Sequence, residues 1–151
     1  MAATQTRLTD FLPYLLSITS NAVSDRIADE YRAQFGLKIP EWRVMAVLGD
    51  SGPLTQRALA QATRMDKVAV NRACKVLEQR GLIARSPNAH DGRSHHLELT
   101  APGWQVHGAI MPTALAMEAQ LFAALDPAER MTFKDMLRRI RAEADMTGMN
   151  A

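Results

Sequence analysis

Residues 64–96 concentrate the side chains that could do chemistry. Seven are basic (Arg64, Lys67, Arg72, Lys75, Arg80, Arg85 and Arg93), three are acidic (Asp66, Glu78 and Asp91), and His90, His95 and His96 add to them. The whole chain carries a formal charge of only +2, so this local excess of four leaves the remainder net acidic. Ammonium and guanidinium groups gathered on neighbouring elements suit a polyanion, and the asymmetry is the footprint of nucleic-acid binding. Enzymatic constellations are missing: there is no Ser/His/Asp or Cys/His set, no phosphate-cradling glycine loop and no metal-ligand spacing. His95 and His96 are adjacent, and neighbours on a strand point to opposite faces, so the histidines do not converge on an ion. The reading therefore calls for no catalytic residue, no metal and no cofactor.

Cys74 is the only cysteine, which rules out an intramolecular disulfide and fits a reducing compartment. Its position on an inward helical face assigns it to packing. At 151 residues, 47% hydrophobic and 23% charged, the chain is long and apolar enough for one domain with a real core. It shows no signal-peptide pattern and no apolar run near the roughly 18 residues of a membrane span, so a cytoplasmic location is expected.

The elements that must position the basic residues follow from periodicity and punctuation. Leu8, Phe11, Leu12, Leu15, Ile18, Ala22, Val23, Ile27 and Tyr31 recur at helical spacing, predicting a helix over 8–35 capped by Thr9, with Pro13 in its first turn and Gly36 ending it. Its start is apolar around most of its circumference, which demands partners on more than one side, such as a second copy of the chain. Pro40 opens a second helix to about Gly49, supplying Trp42, Val44, Met45 and Leu48, and Asp50–Pro53 is turn chemistry. Thr55 caps a short helix over 56–62, and Asp66 caps the next, over 66–80, which buries Val70, Ala73, Cys74 and Leu77. Gly81 ends it. Residues 82–85 and 96–100 read as strands joined by turn chemistry over 87–94. A helix then runs from Thr100 to about Leu125 through Pro112. The last helix begins at the capping box Asp126-Pro127-Ala128-Glu129, turns Met131, Phe133, Met136, Leu137 and Ile140 inward, pairs Asp135 with Arg139, and frays from about Met146.

Two helices across a tight turn make a helix-turn-helix, although a plain helical hairpin gives the same pattern. The hairpin that follows turns the unit into a winged helix. Its second helix would lie in a major groove with Lys67, Val68, Ala69, Asn71, Arg72 and Lys75 facing DNA: Asn71 toward a base edge, Arg72 or Lys67 toward guanine or phosphate, Val68 and Ala69 toward a thymine methyl.

The residues 41–141 resemble the MarR family of winged-helix regulators. The resemblance rests on Glu-Trp-Arg-Val-Met-Ala-Val-Leu (41–48), Leu-Thr-Gln-Arg-Ala-Leu-Ala (54–60), Asp-Lys (66–67), Val-Asn-Arg (70–72), Leu-Glu-Gln-Arg-Gly-Leu-Ile-Ala-Arg (77–85), Asp-Gly-Arg (91–93) and Leu-Thr (99–100). It implies that Arg93 at the wing enters a minor groove and that Asp91 orients it, with Arg85 and Ser94 completing the wing group. The physics is sound, since a narrow minor groove concentrates negative potential and a carboxylate fixes a guanidinium's fork. The resemblance also implies a homodimer built from the first and last helices, a palindromic double-stranded DNA operator, and release by a small-molecule effector such as an aromatic carboxylate. Candidate effector contacts are Ser17, Asn21, Trp42, Arg43, Trp104 and His107. Redox sensors of the family carry their cysteine in the first helix, where this chain has none.

The sequence therefore predicts a mainly α fold with a small β-hairpin wing. Within one MarR-type domain over 1–151, a winged helix-turn-helix lobe (36–100) is flanked by dimerisation helices (8–35 and 101–145). The function expected is a DNA-binding transcriptional regulator, more readily a repressor. The competing reading is a winged-helix protein-interaction module that docks an acidic partner without operator recognition.

Overall fold

A computed structural model describes residues 7–88 and 91–149, and nothing of the side chains of Asp91 and Met149. The chain divides into two compact units, Met1–Ala114 and Leu115–Ala151. The first holds a 3-10 turn (Leu8–Asp10), α1 (Leu12–Phe35), α2 (Ile39–Ser51), β1 (Leu54–Thr55), α3 (Gln56–Thr63), α4 (Lys67–Gln79), β2 (Ile83–Asn88), β3 (Asp91–Leu99) and most of α5 (Ala101–Leu121). The second holds the end of α5 and α6 (Pro127–Met149). No helix among the described residues is long and apolar enough to cross a membrane.

The mainly α winged-helix architecture read from the sequence is the one observed, with several local corrections. The first concerns Thr9, which does not cap α1. A cap there would need the carbonyl of Thr9 to accept from the N–H of residue 13, and proline has none. Phe11 takes the cap position in extended backbone, and Leu15 N–H donates to its carbonyl at 3.0 Å. Pro13 then falls at the second helical residue, whose N–H would have lacked a helical partner anyway. Gly36 ends α1 at φ 63°, in the left-handed region that glycine enters without strain. The second helix runs two residues beyond Gly49, to Ser51, whose hydroxyl donates to the Val47 carbonyl at 2.8 Å.

The wing is larger than the reading of 82–85 and 96–100 allowed. The three strands lie in the order β1-β3-β2, all antiparallel. The two-residue β1, which has too few residues for any periodic signal, pairs Leu54 with Leu97 and Thr55 with His96. Pro87, read as turn, lies in β2 opposite His95. Proline is tolerated there because β2 is an edge strand, and the register shifts directly after it. His90 lies outside the described residues.

The core of the first unit forms where α2, α4 and the sheet meet: Leu37, Val44, Met45, Leu59, Val70, Leu77, Leu97 and Ile110 are fully buried. The inward face read for α4 is correct at all four positions, Val70, Ala73, Cys74 and Leu77. At the end of α4, Leu82 N–H donates to the Leu77 carbonyl (2.9 Å) and Gly81 N–H to that of Glu78 (3.0 Å), the paired bonds of a left-handed glycine stop at φ 71°. The α5 helix packs close to the sheet at Gly103, where a Cβ would lie 2.0 Å from the Leu82 carbonyl oxygen.

In the second unit α5 ends at Leu121, four residues short of the reading, in a turn that includes Leu125 N–H donating to Phe122. The capping box is formed reciprocally: Glu129 N–H donates to Asp126 Oδ1 (2.8 Å) and Asp126 N–H to Glu129 Oε1 (3.0 Å). Those bonds hold the Asp126 carboxyl below its usual range. Phe122 and Phe133 stack tilted at 6.2 Å, and Asp135 pairs with Arg139 at 3.1 Å. The apolar residues of α6 depart from the reading. Met131, Met136, Leu137 and Ile140 are exposed in the single chain, Met131 by 73%, and only Phe133 is half-buried. The helix also continues past Met146 to Met149. An amphipathic pattern specifies which residues share a face, not whether this chain or another covers it.

Candidate nucleic-acid interface

The helix-turn-helix is assembled by caps. Thr55 Oγ1 accepts from Ala58 N–H (3.1 Å) and starts α3; Asp66 Oδ1 accepts from Ala69 N–H (2.7 Å) and starts α4. Between them Arg64 stands in left-handed backbone at φ 58° and turns the chain within three residues. With one face of α4 in the core, Lys67, Val68, Arg72 and Lys75 stand exposed on the other, while Ala69 and Asn71 are half-buried at its margin. At 13 residues α4 is about 20 Å long, enough to occupy a major groove. An open groove of about 780 Å³ runs beside its start, between Gln56, Arg57 and Gln61 of α3 and Asp66 and Lys67.

Arg85 is placed differently from the other basic residues. Strand alternation puts it on the face of Ile83, which is buried, and its register partner is the buried Leu97. Its guanidinium pairs with Glu78 on α4 and donates to Gln56 Oε1 at 3.0 Å. Gln56 Nε2 in turn donates to Asn71 Oδ1 at 3.2 Å. Arg85 thus joins the base of the wing to both helices, and Asn71 is held at its carbonyl oxygen.

Two further residues escaped the sequence reading, Gln56 and Arg80. Arg80 donates to the Phe35 and Gly36 carbonyls, both at 3.1 Å, so the end of α4 clasps the end of α1. Strand alternation from Ile83 gives the side of the strand from which Arg85 leaves, but nothing local signals its reach to Gln56, 29 residues away, or the Arg80 clasp.

At the wing, Arg93 is exposed and Ser94 is half-buried, its Oγ accepting from Asn88 Nδ2 at 3.0 Å. The Asp91 side chain lies outside the described residues, so its pairing with Arg93 is not part of the geometry.

Cys74 is fully buried. Burial pushes its thiol up to about 11; the Arg85 guanidinium acts downward and the Glu78 carboxylate upward. A neutral thiol of this kind is packing.

Of the six effector candidates, three come together. The His107 ring lies 5.5 Å from both Trp42 and Trp104, and Trp42 meets Tyr31 edge-on at 5.8 Å. His107 sits over Gly49, where a Cβ would fall 2.5 Å from its Nε2. Ser17, Asn21 and Arg43 are exposed, and no hydrogen bond, ion pair or ring contact joins them to this cluster.

Comparison with known proteins gives these elements relatives. Residues 35–94, from the end of α1 through the wing, match the model of the MarR family. A candidate transcriptional regulatory protein for the hcr operon of Thauera aromatica is 30% identical over 107 residues, 71% of this chain and 64% of that protein, so the match spans less than two thirds of its length. The crystal structure of a MarR/EmrR family transcriptional regulator from Acinetobacter superposes with a TM-score of 0.86 at 23% identity, covering 93% of this chain and 99% of that one. BpsR of Bordetella bronchiseptica, whose DNA binding is regulated by 6-hydroxynicotinic acid, superposes with a TM-score of 0.78 at 25% identity, covering 86% and 98%. With its capped helix-turn-helix and three-stranded wing, the lobe over residues 35–94 is that of the MarR family of winged helix-turn-helix transcriptional regulators.

Proposed function

We propose that the protein is a homodimeric, sequence-specific DNA-binding repressor of transcription that works in the cytoplasm. The observation that carries this reading is α4: one face is locked into the core, and the other leaves Lys67, Val68, Arg72 and Lys75 exposed beside a wing bearing Arg93. Lys67, Arg72 and Lys75 neutralise phosphate or read guanine, Asn71 and Val68 meet base edges, and Arg93 follows the adjacent minor groove. The apolar faces of α1 (Phe11, Leu12, Leu15, Leu16) and α6 (Met131, Ile140) are exposed in the single chain and supply the surface for a second copy. Two-fold pairing of the two recognition helices asks for a palindromic operator with half-sites about 34–36 Å apart. Electrophoretic mobility with the DNA upstream of the coding region, at two salt concentrations, tests the reading. Affinity should fall steeply with salt, because each neutralised phosphate releases a counterion. Salt-insensitive or absent binding overturns it.

Release by an aromatic or amphipathic acid is the second half of the proposal. Trp42, Trp104 and His107 offer stacking surfaces and one polar anchor, and a ligand of this class regulates BpsR. Such a ligand acts only through a difference in affinity between the DNA-bound and free states. Quenching of tryptophan fluorescence by 6-hydroxynicotinic acid, weakened in His107→Ala, which keeps both tryptophans, is the expected result; no quenching with this probe and with a panel of aromatic carboxylates refutes it.

A further inference from the structure

Three side chains that lead from the wing to the recognition helix carry hydrogen bonds of one polarity. Arg85 has five N–H donors and no acceptor. Its guanidinium, anchored by Glu78, therefore requires the oxygen of the Gln56 amide on its side, and Gln56 Oε1 accepts at 3.0 Å. That leaves the Gln56 NH2 facing Asn71, where only an oxygen can meet it, and Asn71 Oδ1 accepts at 3.2 Å. The orientation of both amides is thus dictated by the guanidinium. What remains for a ligand is the Asn71 Nδ2 group, for which no protein partner stands among the described residues.

We infer that Gln56 is a positioning residue that sets Asn71 as a hydrogen-bond donor toward DNA, so that the operator base at this contact is selected for an acceptor edge. This rests on the reading of α4 as the helix that enters the major groove. An asparagine recognises adenine by accepting from N6 and donating to N7 together, which needs both ends of its amide. Here the accepting end is engaged inside the lobe. Guanine O6 and thymine O4 present keto oxygens to a donor, whereas the amino groups of adenine N6 and cytosine N4 present a second donor against it; N7, an acceptor on both purines, does not discriminate between them.

The relay makes a prediction that packing alone does not. In Gln56→Glu both oxygens at position 56 are acceptors. One still meets Arg85, and the other now requires the Asn71 amide to turn its NH2 inward and its oxygen outward. Asn71 then becomes an acceptor toward DNA, and the selected base on the same strand changes from guanine or thymine to adenine or cytosine. Residue 56 opens α3, where a carboxylate suits the positive end of the helix, so this variant keeps the fold. The uncharged Gln56→Met releases the Asn71 oxygen, so the keto preference should be lost and the two-ended contact to adenine becomes available.

The experiment is selection from randomised duplexes by the wild-type protein and by Asn71→Ala, Gln56→Glu and Gln56→Met, with thermal unfolding of each. Asn71→Ala identifies the dependent position. There the wild type should discriminate by roughly three- to tenfold, Gln56→Glu should reverse the keto/amino preference on a fixed strand, and Gln56→Met should lose the keto preference, with adenine gaining. An unchanged preference in folded Gln56→Glu or Gln56→Met overturns the inference, as does an Asn71→Ala variant that alters no position. If Gln56→Glu unfolds or loses DNA by charge repulsion, Gln56→Met decides. A wild-type protein that selects no sequence instead overturns the DNA-binding reading on which the inference rests.

Discussion

Gly103→Ala and Gly108→Ala place the same methyl group on the same helix and should change stability in opposite directions. Gly103 is the third residue of α5, and its N–H donates to Thr100 Oγ1 at 3.1 Å. A Cβ there would lie 2.0 Å from the Leu82 carbonyl oxygen, 3.0 Å from its carbon and 3.4 Å from Leu99 Cδ2. The obstacle is backbone, so α5 must move away by more than an ångström. The same carbonyl accepts from Thr100 N–H at 3.1 Å, and the shift would weaken that bond too. Overpacking of this kind costs about 1–3 kcal/mol, and a compromised buried hydrogen bond about 1 kcal/mol more. The helix propensity of alanine returns about 1 kcal/mol, for a net loss of about 1–3 kcal/mol. At Gly108 nothing lies within 4 Å, so only the propensity gain of about 0.5–1 kcal/mol remains. Urea unfolding at one protein concentration, followed by circular dichroism, gives both numbers. The concentration is fixed because a dimer's apparent stability depends on it. If Gly103→Ala is neutral or stabilising, the close approach of α5 to the wing is wrong, and with it the placement of the sheet against the helices.

Three other outcomes follow from single contacts. Asp66→Ala removes the 2.7 Å cap of the recognition helix and should cost about 1 kcal/mol by the same unfolding assay, while weakening operator binding by frayed presentation of Lys67 and Val68. Arg80→Ala releases the α1 carbonyls held at 3.1 Å; this exposed clasp should cost about 1 kcal/mol, and slower amide hydrogen exchange at Gly36–Lys38 in the variant would contradict it. Cys74 should resist iodoacetamide at pH 7.5 in the folded protein and react once unfolded by urea. Because burial raises both Cys74, from 9.0 to about 11, and Tyr31, the folded state favours their protonated forms. Stability should hold at neutral pH and decline as pH rises from about 9 through about 11, and a stability that increases over that window would refute the burial of both.

Where local chemistry decides, the sequence was legible. Asp66, Thr55 and the Asp126–Glu129 box start helices because their oxygens reach N–H groups two or three residues on, a range that needs no tertiary partner. Gly36 and Gly81 end helices because the left-handed stop penalises any Cβ. Val70, Ala73, Cys74 and Leu77 share the inward face because helical geometry alone groups them. Thr9 failed as a cap through the same local chemistry incompletely applied, since Pro13 could not supply the N–H that the position required.

Beyond that range the residue type was insufficient. The arginines at 72, 85 and 93 contribute equally to a basic count, yet Arg85, itself exposed, is tied to Glu78 and Gln56 because strand register places it opposite Leu97 and beside α4. Apolar periodicity in α6 specified a face, but only the packed chain shows that face uncovered, with Met131 and Ile140 exposed. β1 exists because Leu54 meets Leu97, 43 residues away, and two residues carry no periodicity from which a pairing could be read. The sequence by itself thus determined which segments are helices, where they stop and which basic surface they carry, because those are properties of hydrogen bonds spanning a few residues. The tertiary structure alone decided which of the basic and amide groups are tied to one another within the lobe. Arg85, Gln56 and Asn71 lie far apart along the chain, and only folding brings their donors and acceptors within reach.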